Sequence, residues 1–579
     1  MSKHWNLKSD AEPEALLKEY AHVHPVIARL LVERRVGPDR LDTFLHPKYE
    51  GLHDPFLFAD MRKAVDRIWL AIEQDERMAV YADYDADAVT ANAVLQQTFR
   101  YLGVPVGSYI PDRFTEGYGL NLEAFEKLKA EGVTLIITVD CGTNSVDVAD
   151  FCKSNGIDLI ITDHHEITAK TPDAYALINP KNPAEQYPDN QITGVGVAYK
   201  LAVALLSETD KVIDLKGIPE DEHIKHWDKW LLDLVAIGTV ADCHSLMGEN
   251  RIIVKYGLMV LAKTKWAGLR ALLQTAVGIN QTELTTHTLG FTLAPRINAA
   301  GRLEHANIAL DTLLATDPVV AGQAAQALEK VNERRQQLTE RLISEAREQA
   351  ALQAAHAVLV LASPDWPKGV VGIAAGRLAT ELQKPVIVLE QGEQESTGSA
   401  RTFGDFDMVE ALKATAEHLL KFGGHKQAAG LTLATTNLDA FRVAIARYAS
   451  EHMSQADQEV VLDLDAQLTA SDLTLDFFDQ LEELQPFGVG NPKPLFLIQN
   501  VELYGAKKVG NDKHVQLTFS VEGRPVQGIA FNMAYVCDTV PVGSMVDLAA
   551  ELIADTWNGI RRLKLRVVDI RISELSAVS

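Results

Sequence analysis

The sequence predicts a multidomain α/β protein that ends in a small β-barrel. Three patterns indicate this: apolar strands that alternate with helices, one long helix without internal proline, and a run of short strands near the C-terminus. A chain of 579 residues is also too long for a single hydrophobic core. We therefore expect five segments: an N-terminal helical piece (1–55), a parallel-sheet domain (56–320), a connecting helix (321–355), a second α/β domain (356–455) and a barrel (456–579).

In the first α/β segment, strands lead directly into polar loops and helices. Residues Met78–Leu102 read as an apolar strand, an acidic loop and an amphipathic helix, and two more β-rich runs, Val133–Gly142 and Ile157–His165, end in polar residues. Near-continuous apolar strands between helices predict a parallel sheet that is covered on both faces. Ligands bind such sheets beyond the carboxyl ends of the strands, so we expect the site there.

The rest of the chain predicts two further domains after the connecting helix. That helix is expected over Ala321–Ala355, which contains no proline. A strand, a helix, another strand and the glycine-rich Phe422–Gly430 follow it. From about Asp457 onward, five short runs alternate apolar and polar residues, which suits an OB-fold barrel. Its basic run Arg561–Arg566 provides local positive charge.

The composition is that of an ordinary globular protein, with 47% hydrophobic and 23% charged residues. No apolar run is long enough for a membrane span, and the four cysteines are scattered, which is typical of the reducing cytoplasm. The formal net charge of −24 is unfavourable for binding nucleic acid, because Lys and Arg provide most of the affinity for phosphate. Either the ligand is not a polyanion, or a local basic channel and metal ions bind it.

Four groups of acidic and histidine residues follow predicted strands or helices. Mg²⁺ prefers oxygen ligands and Mn²⁺ also accepts imidazole, so an aspartate-rich set favours these ions over zinc. Two ions bridged by a carboxylate would suit in-line attack on phosphorus. An isolated Asp at a strand end is more often a helix cap or a turn residue, but four groups in one α/β unit favour a two-ion site. The groups are Asp83, Asp85 and Asp87; Asp140; Asp163, His164 and His165; and Asp242.

Four short motifs in this order, DYDAD, VDCG, TDHH and GTVAD, resemble those of the DHH phosphoesterase superfamily. Further segments are similar to the RecJ family within it, and the resemblance covers the chain from about Phe56 to the barrel. The tripeptide DHH alone is weak evidence, whereas the ordered set is specific. The further segments are Ile110–Asn121, Ala294–Ala306, Trp366–Ala379, Gly398–Thr402, Phe422–Gly430 and Leu484–Phe496.

The resemblance implies a DHH domain with a dinuclear metal site, a DHH-associated domain that closes the cleft, and an OB-fold that guides the DNA strand toward the cleft. Members of the family hydrolyse single-stranded DNA from 5′ to 3′ with Mn²⁺ or Mg²⁺ and release mononucleotides, in DNA repair and recombination. Asp140 would bridge the two ions, His165 would lie beside the scissile phosphate, and Asp163 would orient its neighbours. Together with His164, these residues form the expected catalytic set. The implied metal shell is Asp83, Asp85, Asp87, Asp140, His164 and Asp242.

The resemblance also implies residues that hold the DNA. Arginine binds phosphate bidentately, and glycine lets a strand approach the backbone closely. A single-strand-binding protein and a helicase are plausible partners, and a protein of this size can act as a monomer. The expected DNA-binding residues are Arg296, Asn298, Arg302, Ser399, Arg401, Gly423, Gly424 and His425.

The chain departs from the family pattern at a few places. Ala82 and Ala88 stand where the family usually has glycine, and His244–Leu246 replaces a stretch that ends in Pro-Leu. If those glycines need a positive φ, alanine would strain the metal loop by about 1 kcal/mol. Every expected ligand is present, so such strain would affect the level of activity rather than its presence.

Two other functions remain open on the sequence alone. A DHH enzyme for small substrates, such as an oligoribonuclease, a cyclic-dinucleotide phosphodiesterase or a pyrophosphatase, shares the metal chemistry, but such enzymes are usually shorter and lack the barrel. A replication scaffold without activity would have lost its metal ligands. The rate on dinucleotides tests the first alternative, and uptake of Mn²⁺ tests the second.

Overall fold

The fold was analysed in a computed structural model of the chain. It describes residues 3–8, 18, 20, 23–117, 119–168, 170–208, 210–211, 226–278, 283–453, 460–557 and 559–573. None of the helices within these ranges combines the length and the apolar character that crossing a membrane requires.

The first α/β domain is built on a five-stranded parallel sheet, as predicted. Its strand order is β3-β2-β4-β5-β6. Every side chain of β2 and β4 is buried, because separate apolar clusters cover the two faces of the sheet. The N-terminal and first-domain elements are β1 (His4–Leu7), α1 (Pro25–Glu33), α2 (Leu41–Leu45), α3 (Met61–Glu73), β2 (Met78–Ala82), α4 (Ala86–Leu102), β3 (Gly107–Tyr109), α5 (Leu122–Ala130), β4 (Leu135–Val139), α6 (Val146–Ser154), β5 (Asp158–Thr162), β6 (Ala176–Ile178), α7 (Gly194–Ser207), α8 (Leu232–Ala241), α9 (Gly248–Leu261), α10 (Ala267–Val277), α11 (Ala294–Leu303) and α12 (Asn307–Leu314).

A long helix, α13 (Pro318–Leu352), leads to the second α/β domain. The helix begins at Pro318 because the Asp317 carboxylate accepts hydrogen bonds from the first backbone N–H groups. The second sheet has the order β10-β11-β9-β8-β7, in which only β7 and β8 run parallel. Its elements are β7 (Leu359–Ser363), α14 (Lys368–Leu382), β8 (Val386–Gln391), β9 (Glu395–Arg401), α15 (Met408–Ala414), β10 (Lys421–His425), β11 (Ala428–Ala434) and α16 (Leu438–His452).

The C-terminal segment forms a closed barrel, which confirms the OB-fold prediction. Five strands close on themselves because β14 pairs with both β15 and β17. The elements are β12 (Val461–Leu464), β13 (Ala466–Gln467), α17 (Leu475–Glu482), β14 (Phe496–Val509), β15 (His514–Val521), β16 (Arg524–Ala530), α18 (Val536–Thr539), β17 (Met545–Trp557) and β18 (Ile560–Ile572).

The N-terminal segment packs against this barrel, a placement that sequence periodicity does not reveal. Strand β1 pairs in parallel with β12, and the apolar side chains of α1 share one core with the barrel. Buried Arg251 of the first domain joins the two parts, since it donates to the carbonyl oxygens of Phe44 and Gln485, both at 2.7 Å. The N-terminal segment therefore helps to hold the barrel on the first domain.

Candidate metal centre and substrate cleft

Three strands of the first sheet end side by side and place their next residues in one row. The register pairs Ala82 with Val139 and Val139 with Thr162. Asp83, Asp140 and Asp163 therefore leave the sheet at the same edge, and all three are buried. This edge is where the sequence predicted the ligand site.

The other two acids of the DYDAD motif lie at the start of α4. Asp85 caps the helix by accepting from the Ala88 N–H at 3.0 Å. Asp87, in the first turn, accepts from the N–H groups of Gly194 and Val195 at 2.8 and 3.0 Å. The N-terminus of α7 thus holds the Asp87 carboxylate against the strand edge.

His164 lies at the centre of the acidic cluster. Its Nε2 is 3.0 Å from Asp140 Oδ1, 3.6 Å from Asp242 Oδ2 and 3.9 Å from Asp87 Oδ2. Asp242 reaches the cluster because it caps the C-terminal end of α8. The structure therefore brings together the predicted ligands from separate parts of the chain.

His165 and Asp163 form a pair at the edge of this cluster. Asp163 Oδ1 is 2.7 Å from His165 Nδ1, and Asp163 Oδ2 accepts from the Thr143 N–H at 2.9 Å. Burial would raise the pKa of Asp163, but the hydrogen bond and charge of His165 outweigh it and lower that pKa. Although burial lowers the pKa of His165, its contact with Asp163 raises it. The His165 side chain stays partly open to solvent, at 42% exposure, where a phosphate can reach it.

Among the described residues, nearby positive charges only partly offset the crowding and burial of the acids in this cluster. Burial and then the neighbouring acid Asp85 raise the pKa values of Asp83 and Asp242 to about 7. Burial, followed by the other carboxylates, also raises the pKa values of Asp87 and Asp140. Within the described residues, four buried atoms here have no hydrogen bond of acceptable geometry: Asp83 Oδ1, Asp140 Oδ1, His164 Nδ1 and Asp242 Oδ2.

This donor set fits divalent cations. Crowded carboxylate oxygens with one central imidazole match the preference of Mn²⁺, and most of the set also suits Mg²⁺. Bound divalent cations would accept the unpaired oxygens as ligands and would offset the repulsion that raises these pKa values.

We expect Mn²⁺ to stabilise the protein more at about pH 8 than at about pH 6. Asp83 and Asp242 have folded-state pKa values of about 7, above their ordinary value near 3.8. The stability that these groups contribute is complete below the unfolded-state pKa and is lost as the pH rises through about 7. Bound cations compensate for that loss, so the rise in the thermal midpoint of unfolding on adding Mn²⁺, measured by scanning calorimetry against chelator, should grow over this interval. An equal rise at both pH values would contradict this account.

Arg302 lies close enough to the acidic cluster for the charge of Asp85 to act on it. Arg302 at the end of α11 has no ion pair among the described residues and donates only to the Gly369 carbonyl oxygen, at 3.3 Å. Burial, and then the nearby charges of Arg113, Arg335 and Arg401, lower the pKa of Arg302 to about 10. Guanidiniums grouped beside a cluster of carboxylates that could hold metal ions suit a phosphate backbone.

Asn298 acts on the metal loop itself. Its Oδ1 accepts from the Ala86 N–H at 2.9 Å, at the first residue of α4. On the same helix, a Cβ added to Gly301 would lie 2.6 Å from the Tyr84 carbonyl oxygen, so α11 packs directly on the DYDAD loop. Asn298 therefore helps to position the loop, and its predicted contact with DNA stays a prediction.

Five predicted DNA-binding residues lie in the paired strands of the second sheet. Ser399 lies opposite Gly430 of β11, which in turn lies opposite Gly423, and Arg401 is likewise in line with His425, so the two rows share a face. A Cβ at Gly423 would meet nothing within 4 Å, which leaves room for a DNA strand. We call this face of the sheet, at Gly423 and His425, the shelf. Gly424 differs: its φ of 149° and a would-be Cβ 2.3 Å from the Ala428 carbonyl oxygen show that glycine is needed where β10 approaches β11 this closely.

Arg296 is engaged elsewhere. Its guanidinium forms two hydrogen bonds with Glu329 of α13 and one with the Thr292 carbonyl oxygen. This arrangement favours a role in holding α11 on the long helix. In the barrel, part of the basic run is similarly paired: Arg561 with Asp479, Lys564 with Asp555 and Arg566 with Glu551.

The strain considered for the metal loop is absent. Ala82 ends β2 and Ala88 lies in the first turn of α4, and neither has a positive φ. The left-handed residue of the site is instead Asp140, with φ 57°, a conformation that aspartate tolerates better than most residues.

Sequence reasoning missed three residues of this region. Arg113 lies in a motif that carried the resemblance, but only the fold shows it stacked on the Tyr84 ring at 4.8 Å and close to Arg302. Gly194 begins α7, where a Cβ would lie 2.5 Å from Asp140 Oδ1. His244 contacts Asp242 at 3.2 Å.

Fold and site together define a protein of the DHH class. The family models match in chain order: the N-terminal domain of the DHH family over residues 77–239, the DHHA1 domain over 354–451 and the RecJ OB domain over 464–569. The single-stranded-DNA-specific exonuclease RecJ of Bacillus subtilis is 37% identical, over 98% of this chain and 71% of its own. The Escherichia coli protein of that name is 31% identical over 95% and 96%. The chain belongs to the RecJ family.

A solved structure agrees over the whole chain. The crystal structure of RecJ in complex with Mn²⁺ from Thermus thermophilus matches with a TM-score of 0.81 and 30% identity, over 99% of this chain and 80% of that one. A second structure from the same organism, with Mg²⁺, has a TM-score of 0.76 at 29% identity, over 99% of this chain and 79% of that one.

Proposed function

We propose that this chain is a metal-dependent exonuclease that degrades single-stranded DNA from the 5′ end and releases 5′-mononucleotides. The observation that carries the proposal is the cluster at the sheet edge, where Asp140 and Asp242 lie 3.0 and 3.6 Å from His164, with Arg302 close by. Relatives that match over nearly the whole chain are named single-stranded-DNA-specific exonucleases. The 5′ polarity follows from the family resemblance alone.

Two divalent ions, Mn²⁺ or Mg²⁺, would be held by Asp83, Asp85, Asp87, Asp140, His164 and Asp242, and would activate water and stabilise charge at phosphorus. The protein's own residues would bind and orient the substrate. Asp163 holds the His165 ring through Nδ1, so Nε2 is the ring atom that would meet a phosphate oxygen. Arg302, Arg401 and Ser399 bind neighbouring phosphates, and the shelf at Gly423 and His425 supports the strand.

The barrel offers further contacts for bases. Tyr504 and Phe531 are 70% and 50% exposed, whereas Phe496 and Phe519 are buried in the barrel core. Exposed aromatic rings stack on single-stranded bases without sequence preference. We extend the proposal to a cytoplasmic role in DNA repair and recombination, as a monomer that works with a helicase and a single-strand-binding protein.

The direct test uses DNA oligonucleotides labelled at either end, single- and double-stranded, with Mn²⁺. Release of mononucleotides from the 5′ end of single strands only, abolished by chelator, supports the proposal. Hydrolysis of dinucleotides without degradation of long strands would replace it with the small-substrate alternative. Failure to bind Mn²⁺ would favour the scaffold.

Arg302→Ala is expected to lower kcat/KM on single-stranded DNA by about 10–100-fold, because one charge-assisted hydrogen bond to phosphate contributes roughly 1.5–3 kcal/mol. The loss should appear mainly in KM and should weaken the salt dependence of binding. Arg347→Ala is the matched control, since Arg347 pairs with Glu381 on an exposed surface. Equal kinetics of the Arg302 variant and the control would remove Arg302 from the DNA path.

A further inference from the structure

A third histidine reaches the metal cluster from the end of α8. The chain turns sharply after Asp242 because Cys243 adopts a left-handed conformation with φ 56°. The turn brings His244 Nε2 to 3.2 Å from Asp242 Oδ2 and places its ring centroid 4.8 Å from that of His164. The His244 side chain is only 18% exposed, so it belongs to the wall of the site.

The orientation of the His244 ring is set by its other nitrogen. Nδ1 lies 3.0 Å from the Gln191 carbonyl oxygen, which can only accept a hydrogen bond, so Nδ1 carries the proton. The Nε2 lone pair then points toward Asp242 Oδ2, a buried oxygen without a hydrogen bond of acceptable geometry in the described structure. A backbone carbonyl on one ring nitrogen and an available lone pair on the other is the arrangement of histidines that bind metals.

The spacing of these atoms suits one ion. His164, Asp242 and His244 form a set whose ligand atoms lie within 4.8 Å of one another. Adjacent ligands of an octahedral ion with bonds of about 2.1 Å are about 3 Å apart. The contacts of 3.2 Å and 3.6 Å that Asp242 Oδ2 makes with the two histidines are close to that value.

We propose that His244 is a nitrogen ligand of the ion held by His164 and Asp242, and that it makes this site selective for Mn²⁺ over Mg²⁺. A second imidazole favours ions that accept nitrogen, whereas Mg²⁺ gains little from it. The inference rests on the proposed metal site, but it concerns a residue that the family motifs do not assign.

The experiment compares metal binding by wild type, His244→Val and His244→Gln, with His452→Gln as the matched control at an exposed helix end. Calorimetric titration should show Mn²⁺ bound about 10–100-fold more weakly in both His244 variants, with the Mg²⁺ affinity changed by less than about twofold. Pulsed EPR of the Mn²⁺-loaded wild type should show two directly bound nitrogens, and one in the variants. Circular dichroism confirms that each variant is folded, and the wild-type nitrogen count needs no variant.

Other results would contradict the assignment of His244 or the proposed function. One bound nitrogen in the wild type, or an equal fall in the affinities for both ions, would overturn the assignment of His244. Wild type that binds Mn²⁺ and degrades single strands, with His244 variants that bind Mn²⁺ equally well, would reject this inference alone. Wild type that binds no Mn²⁺ would instead reject the proposed function.

Discussion

Asp140→Asn is expected to lower the rate of nucleotide release by at least about a thousandfold, which corresponds to roughly 4 kcal/mol of transition-state stabilisation. Asp140 is buried, lies 3.0 Å from His164 Nε2 and 3.9 Å from His165 Nδ1, and is surrounded by the other carboxylates. An amide would remove the negative charge that Asp140 is proposed to supply to a pair of cations. Mn²⁺ titration should show at least one site lost.

The fold should tolerate this substitution. Asparagine adopts the left-handed φ of 57° as readily as aspartate does. Because burial and neighbouring carboxylates raise the pKa of Asp140, a neutral side chain should leave the thermal midpoint of the metal-free protein unchanged or higher.

A matched control separates the metal role from burial. Asp233 is also fully buried, and burial raises its pKa to about 7, but it bonds to Trp266 and the Leu234 N–H, away from the cluster. Asp233→Asn should keep the rate of nucleotide release. An Asp140→Asn variant that is folded and retains more than about a tenth of the wild-type rate would exclude Asp140 as the bridging ligand.

The positions of the strand-end acids were predictable because a simple rule connects sequence to position. Buried parallel strands are apolar throughout, so the first acid after each strand marks the carboxyl edge of the sheet. Asp83, Asp140 and Asp163 follow this rule, and the register aligns them. The closed barrel was predictable for a similar reason, since its alternating strands show one buried face.

Residues whose environment depends on distant parts of the chain were not predictable. Arg296 resembles a phosphate ligand in its motif, but it binds Glu329, 33 residues further along. Asn298 meets the N–H of Ala86 from 212 residues away. His244 approaches Asp242 only because Cys243 has a left-handed backbone conformation, and a cysteine in the sequence does not predict that conformation.

Gly194 is the strongest example, because its importance lies in the side chain that it lacks. Its backbone starts α7 without a positive φ, so no turn requires glycine there. Sequence patterns identify glycines needed for conformation, and this one is needed for space: Asp140 occupies the volume of the missing Cβ.

Gly194→Ala is therefore expected to lower the rate of nucleotide release by about a hundredfold or more. The new Cβ would lie 2.5, 2.6 and 2.7 Å from Oδ1, Cβ and Cγ of Asp140, so rotating the carboxylate alone cannot relieve the overlap. The Gly194 N–H also donates to Asp87 Oδ2, so any shift of α7 would disturb a second proposed ligand. A displacement of about 1 Å at a catalytic group costs on the order of a hundredfold in rate.

The measurement pairs Mn²⁺ titration with the single-strand assay on the folded variant, checked by circular dichroism. Gly322→Ala is the control, since Gly322 lies in the N-terminal part of α13 and a Cβ there meets nothing within 4 Å. Alanine should stabilise α13 by about 0.5–1 kcal/mol without changing the rate. Weakened Mn²⁺ binding together with the slow rate would locate the defect at Asp140 and Asp87. A Gly194→Ala protein with normal Mn²⁺ affinity and normal rate would show that the carboxylate moves freely, and that Asp140 does not depend on α7 for its position.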